Sequence, residues 1–566
     1  MKPTRQRLRR LAPVIALAAA AALAAPATHA ADKVLRAFLS TGETGLDPAV
    51  ASDLASLSLL ENLFDPMLRY DYAARPVKLV PNALRAMPES DASGTVWTFH
   101  LKPGMYFSDD PAFKGKKREV TADDYKYAIE RLFDPALKSP WLFMFEGKLA
   151  GLDVPDRYTL RMRLKAPEPS LLFYLALPAT GAVAREVAEA YGSQVGNHPV
   201  GSGPFVIETW KRSDKITLVA NRAYHQHWQG RRLPLVDKVE VKIMEEYQSR
   251  VLGFLNGEFD YIEQVPESMR DMVLDPASPQ PVLKAELAAR GMVLTPFAVL
   301  QTYYMWMNME DPLIGGYGKE KVALRRAIAL GYNSQEDVTL LKKGLALPAQ
   351  SPLPPNVLGY DPAYRSPLSY NPKLARALLD RFGYRLGKDG FRTLPNGQPL
   401  ALVMHSEPSM VGRLRDELWR KNLHALGLRV SFKTDKKTEI IKASRLGKVQ
   451  MFETNWIADF PDGDNFYQLL YGPNSGRANY ARFNLPAFNR RYEQARRLGD
   501  GPQRNRLYRE LDQLIHAYNP WVLLIHPISA DIRQPWLKNY NRHPVELTTW
   551  RYVDIEPKST IAPSLH

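Results

Sequence analysis

Cysteine is missing altogether from the 566 residues. That absence excludes a disulfide framework, thiol catalysis, iron–sulfur ligation, thiolate zinc and a lipid anchor on an N-terminal cysteine. Beyond residue 30 no stretch holds the run of about 18 apolar residues that a membrane helix needs. Fixed-period repeats and low-complexity tracts are also lacking, which argues against solenoids and disordered arrays. Charge of one sign never builds into a long block. The densest cluster, KGKKRE at 114–119, reads as a solvated face, and no nucleic-acid partner is expected.

What is present is ordinary for a globular chain, 45% hydrophobic and 24% charged, with 45 prolines that favour ordered turns. A chain of this length exceeds what one core organises, so two or more lobes are expected. The first thirty residues differ in kind. Lys2, Arg5, Arg7, Arg9 and Arg10 precede an apolar run, Leu11–Ala25, and then PATHAAD. This is the pattern of a secretory signal peptide, with cleavage expected after Ala27 or Ala30, the latter preferred. Removing its five basic residues lowers the formal net charge from +15 to +10. Export without cysteine fits a periplasmic protein that is not lipid-anchored.

Along the chain, helical and strand signals alternate. VLRAFL at 34–39 reads as a strand, and ASDLASLSLLENLFDP as a helix stopped by Asp-Pro. TVWTFHL alternates as a strand, and Thr121 with Asp124 forms a capping-box variant for the helix beginning TADDYKYAIERLF. Further strands are expected at 158–164, at 215–220 and in DKVEVKIME, with a helix at 247–255. Asn371 and Pro372 open another helix, which leaves at Gly383; LRVSFKTD and MFETNWIADF read as strands. The class is mixed α/β.

Candidate chemistry is sparse. GSGPF at 201–205 lacks the Lys-Ser or Lys-Thr of a phosphate loop and reads as a backbone crossover or hinge. His225 and His227 sit at i, i+2, but no third ligand completes a metal site, and no cofactor is expected. Asp462, Gly463 and Asp464 resemble part of a calcium loop whose twelve-residue pattern does not follow, so they read as turn acids. The stretch QTYYMWMNM at 301–309 places Tyr303 and Met305 on one face and Tyr304 and Trp306 on the other. Such a strand is usually core, though one face can line a cleft. In NWIADFPDGDNF, Asp459 stands between Trp456 and Phe460 at the entrance of a turn. An acid flanked by rings suits a ligand with an apolar body and a positive end.

Taken in order, LRAFLSTGETGLDPAVASD, ENLFDPMLRYD, LVPNALRAMPESDASGTVWTFHLKPGMYFSD, TADDYKYAIERLFDP, VGSGPFVIETW, LNGEFDYIEQVP, VALRRAIALGYN and WIADFPDGDNF resemble the extracytoplasmic solute-binding proteins of ABC transporters, family 5. The similarity runs from about residue 34 to about 550. It implies a two-lobed, type II periplasmic-binding-protein fold with an extra domain and a hinge between lobes. The first lobe would comprise 32–70, 201–300 and 536–566, the extra domain 71–200, and the second lobe 301–535.

The resemblance further implies peptide binding between the lobes and delivery to permease subunits in the inner membrane, by a protein expected to be monomeric and not an enzyme. In peptide-binding relatives the Asp at the position of Asp459 receives the ligand's α-ammonium; Trp456, Phe460, Tyr303 and Tyr304 are the expected apolar walls. No arginine matches the carboxylate-binding position of dipeptide-binding relatives. Glu407 and Pro408 stand near it, with Arg413 as the nearest base. Relatives with other ligands keep haem, nickel chelates, sugars and opines open. A secreted hydrolase using Asp459 and Asp462 as an acid/base pair is the reading from a different class.

Overall fold

The computed structural model describes residues 32–278 and 280–556; the leader at 1–30 and residues 557–566 of the expected first lobe lie outside them. Local signals behave as their chemistry dictates. The strand Val34–Leu39 and the helix Leu54–Leu63 fall where the apolar spacing put them. Helix Ala122–Arg131 carries its capping box, with the Thr121 amide donating to Asp124 Oδ2 at 2.7 Å. Asn371 Oδ1 accepts from the Leu374 amide at 2.9 Å and caps helix Pro372–Arg381.

Three sheets organise these pieces. In the first, Val34–Leu39 runs parallel to Lys238–Ile243, which continues antiparallel to Lys215–Ala220 and then Phe205–Lys211. An antiparallel sheet joins Glu89–Ser90, Val96–His100, Thr159–Leu164 and Leu149–Asp156. Both rest on one continuous apolar core containing Leu35, Phe99, Tyr125, Leu160 and Val239.

The third sheet has eight strands. Its main path is Tyr261–Ile262, Trp521–Arg533, Gln301–Met307, Met451–Ile457, Ala401–Ser406 and Arg429–Thr434. Gln301–Met307 lies inside this sheet and is covered on both faces. Met305 and Met307 enter one core with Trp419 and Leu402, while Tyr304 and Trp306 enter another with Phe452 and Phe466. Burial on both sides explains its unbroken run of large apolar residues.

Trp521–Arg533 connects the two halves of the molecule. Its first residues pair with Gln301–Met307, and Ile528–Arg533 pair with Val293–Ala298. The GSGPF stretch is a close crossover. A side chain on Gly201 would meet the Leu63 carbonyl oxygen at 2.0 Å, and one on Gly203 the Asn62 carbonyl oxygen at 2.6 Å. Only glycine lets this backbone pass the end of helix Leu54–Leu63. The result is a two-lobed α/β fold.

Candidate functional site

A cavity of about 930 Å³ lies between two walls. The first is the turn after strand Met451–Ile457, which contributes Ile457, Ala458, Asp459 and Phe460. Opposite stand Leu54, Leu57 and Glu61 of helix Leu54–Leu63, with the segment Pro544–Leu547. Trp141, Phe173 and Tyr174 close a third side.

The Asp459 turn is built from the sheet outward. Ile457 is in register with Gln301, and the Ala458 amide donates to the Leu300 carbonyl at 2.8 Å. Beyond that point the chain leaves the ladder, and Asn465, fully buried, takes over. Its Oδ1 accepts from the Trp456 indole N–H at 2.7 Å and from the Asp459 amide at 3.1 Å, while its Nδ2 donates to Asp459 Oδ2 at 3.0 Å. One side-chain amide thus steadies both the backbone and the carboxylate of an exposed aspartate. Among the described residues no cationic side chain pairs with Asp459. Phe460 stacks on Phe173 at 5.5 Å with rings 18° apart, a contact that joins the first wall to the third side.

Asp462, three residues on, has a different fate. It is buried, receives the Arg504 guanidinium and the Tyr508 hydroxyl (3.2 Å), and does not line the cavity. The next residue, Gly463, packs on Tyr508 so closely that a Cβ would meet its ring at 2.6 Å. The Asp459/Asp462 acid/base pair is therefore not assembled: one carboxylate faces the cavity and the other is held by an arginine.

The opposite wall is also acidic. Glu61 accepts from the Leu547 and Thr548 amides at 3.3 and 3.0 Å. Burial, reinforced by the charge of Glu546, pushes its carboxyl up to about 8 against the pull of Arg551. Burial raises Glu546 as well, opposed by Arg551 and Arg69, and its Oε2 has no hydrogen-bond partner among the described residues. Asp464, on the first wall, is raised by burial. In all, the lining holds five acids, Glu61, Glu168, Asp459, Asp464 and Glu546, against Lys148 and Arg496. Lys148 is committed to Glu168 at 3.0 Å.

Of the residues singled out in the sequence, Asp459 and Phe460 meet at the cavity. Trp456 does not line it; half-buried, it anchors Asn465. Tyr303 and Tyr304 stand away from it for the reason given by their strand, which is buried on both faces. Tyr304 stacks on Trp521 at 3.8 Å, and Tyr303 lies under Lys342 and Arg415 at 4.9 and 5.1 Å. Arg413 is exposed on helix Met410–His424, and Glu407 pairs with Lys437 at 3.7 Å; neither reaches the cavity.

His225 Nε2 sits 3.2 Å from the buried Asp65, while His227 is exposed. No group of three or more His, Asp or Glu among the described residues is arranged to hold a metal ion. Sequence reasoning missed Asn465, Glu61, Glu546 and Phe173. Asn465 and Glu61 lie within stretches that carry the family resemblance, whereas nothing local marks Glu546 or Phe173.

An acid-lined cavity between two α/β lobes defines a protein that encloses a small solute. The chain belongs to the bacterial extracellular solute-binding proteins, family 5, whose middle-region model matches residues 78–478. It is 27% identical to the di/tripeptide-binding protein 2 of Pseudomonas aeruginosa (strain UCBPP-PA14), covering 98% of this chain and 100% of the relative. It is 25% identical to heme-binding protein A of Haemophilus influenzae, over 84% of each. Among solved structures, the unliganded open form of the periplasmic murein tripeptide-binding protein MppA superposes with a TM-score of 0.78. It is 21% identical, over 94% of this chain and 99% of that one. No helix among the described residues is long and apolar enough to cross a membrane.

Proposed function

We propose that this chain is the receptor of an ABC importer, capturing peptides by their free α-ammonium and passing them to permease subunits in the inner membrane. One observation carries the reading: Asp459 faces a cavity of about 930 Å³, steadied by a neutral amide and paired with no cation among the described residues. An ammonium placed there makes a charge-assisted hydrogen bond that bulk water cannot match once the walls close. The acid excess of the lining supports a ligand whose cationic end enters first. The di/tripeptide-binding relative supports a peptide over the haem named for another relative.

With Asp462 held by Arg504, the acid/base pair of Asp459 and Asp462 is not formed, and in this reading the ligand leaves as it entered. The protein works as a periplasmic monomer, exported by its leader and released without a lipid anchor. Its lobes follow the boundaries 32–70, 201–300 and 536–566 against 301–535, with 71–200 as the extra domain. Trp521–Arg533 serves as a strand shared at the hinge. Ligand selects the closed arrangement, and the permease reads that shape.

Thermal melts test the reading. Free peptides at a hundredfold excess over Kd should add about 2.7 kcal/mol of stability. N-acetylated versions should add far less, and Asp459→Ala should erase the difference. Equal stabilisation by blocked and free peptides sinks the amine role.

A further inference from the structure

Large apolar side chains that stay exposed in a folded chain are common singly and carry no message by themselves. In this protein three of them converge on one place. Leu54, Ile457 and Phe143 are 70%, 62% and 57% exposed, and all three line the cavity that Asp459 faces. Met410, Leu340, Leu386 and Leu446 are as exposed, but none of them lines that cavity.

The three come from different sides of the cavity, and each stands on a fixed element. Leu54 opens helix Leu54–Leu63, whose start is held by Asp53 Oδ1 accepting from the Ser56 amide at 2.8 Å. Ile457 ends strand Met451–Ile457 and is still in register with Gln301. Phe143 lies in the short turn Leu142–Met144 and meets the Tyr174 ring edge-on at 6.3 Å. Their exposure is therefore not that of loose tips. Backbone pairing, capping and a ring contact keep these side chains at the cavity while the rest of the chain leaves most of their surface uncovered.

Removing apolar surface from water is favourable roughly in proportion to its area. A ligand that covers these three side chains binds more tightly the more apolar the surface it brings to them. The acids of the lining compete poorly for the same part of the ligand, because several are engaged within the protein. Glu61 is bonded to the Leu547 and Thr548 amides, and Glu168 is paired with Lys148.

We propose that the cavity selects peptides carrying a large apolar side chain, such as that of leucine or phenylalanine, on one of their first two residues, and that Leu54, Phe143 and Ile457 determine this specificity. The inference rests on the peptide reading above and adds a side-chain class to it. With the ammonium at Asp459, the first residues of the peptide lie beside Ile457, which precedes Asp459 by two positions and lines the same cavity.

The test uses tripeptides with free termini, X-Ala-Ala and Ala-X-Ala, with X as alanine, serine, leucine, phenylalanine or lysine, and affinities from calorimetry. In the better of the two series, wild-type protein should bind the leucine or phenylalanine peptide roughly ten- to a hundredfold tighter than the alanine peptide. Its heat-capacity change on binding should also be the more negative. Leu54→Ser should lower that ratio severalfold, and the triple variant Leu54→Ser, Phe143→Ala, Ile457→Ser should bring it to near one. Melts of the ligand-free variants establish that they fold. Equal affinity for the alanine and leucine peptides, beside a preference for free over N-acetylated peptide, overturns this inference and leaves the amine reading standing. So does tightest binding of the lysine peptide, which would give the selection to the acids. A ratio that both variants leave unchanged overturns the assignment to these three residues. No binding of any free peptide by the wild type overturns both readings.

Discussion

The two walls of the large cavity are both acidic, yet they hold their carboxylates in opposite ways. On the first, Asp459 is exposed and bound only to a neutral amide. On the second, Glu61 and Glu546 crowd one another beside Arg551, and burial raises both. Neighbouring buried carboxylates favour holding a proton, whereas Asp459 stands at the surface of the cavity with no cationic partner among the described residues. The same residue chemistry therefore serves recognition on one side and cohesion on the other, where Glu61 ties helix Leu54–Leu63 to the amides of Leu547 and Thr548.

The sharpest way to break this contrast is underneath the first wall. Asp462→Ala strands the buried Arg504 and should cost about 3–5 kcal/mol in a denaturant titration. Adding Arg504→Met should recover much of the loss. If the single variant is as stable as wild type, the frame attributed to this turn is wrong.

Next in size is the pH response of the second wall. Because the folded carboxyl of Glu61 sits near 8 and the unfolded one near 4.5, the folded state binds the proton more tightly. Its contribution is complete below the unfolded value and is lost as pH rises through the folded one. Melts between pH 5 and pH 9 should register on the order of 4 kcal/mol from this group. Glu61→Gln, which cannot ionise, should flatten that part of the profile. A variant with the wild-type pH dependence would remove Glu61 from the account.

The smallest effect concerns the contact that joins the first wall to the third side of the cavity. Phe173→Ala deletes the stack on Phe460 and should cost about 0.5–1.5 kcal/mol of cohesion between them. X-ray scattering of the ligand-free variant should then show a larger radius of gyration, at nearly unchanged secondary structure. An identical scattering curve would mean that the rings touch without holding the walls together.

Much of the fold was legible along the chain, because its signals are local. Thr121 with Asp124, and Asn371 with Pro372, announce helix starts through bonds that close within four residues. Gln301–Met307 was legible only in part. Its alternation correctly assigns Tyr303 and Tyr304 to opposite faces, but the pattern of a strand cannot say what covers each face. Two cores cover them, and neither ring reaches the cavity. For Asp459 the signal was an acid between rings; the role of Trp456, which turns out to hold Asn465, lay in a hydrogen bond invisible to spacing.

The linear order of residues by itself determined the α/β class, the places where helices and strands begin, the family, and the presence of one conspicuous acid at a turn. These follow from periodicity and from contacts between near neighbours. Tertiary structure alone decided which acids share a cavity and which are held by an arginine, since Asp459 and Asp462 look alike in a string of letters. It also brought Glu61 beside Glu546 and Phe173 against Phe460. Such pairings join distant parts of the chain, and their electrostatics depend on burial, which exists only once the chain has packed.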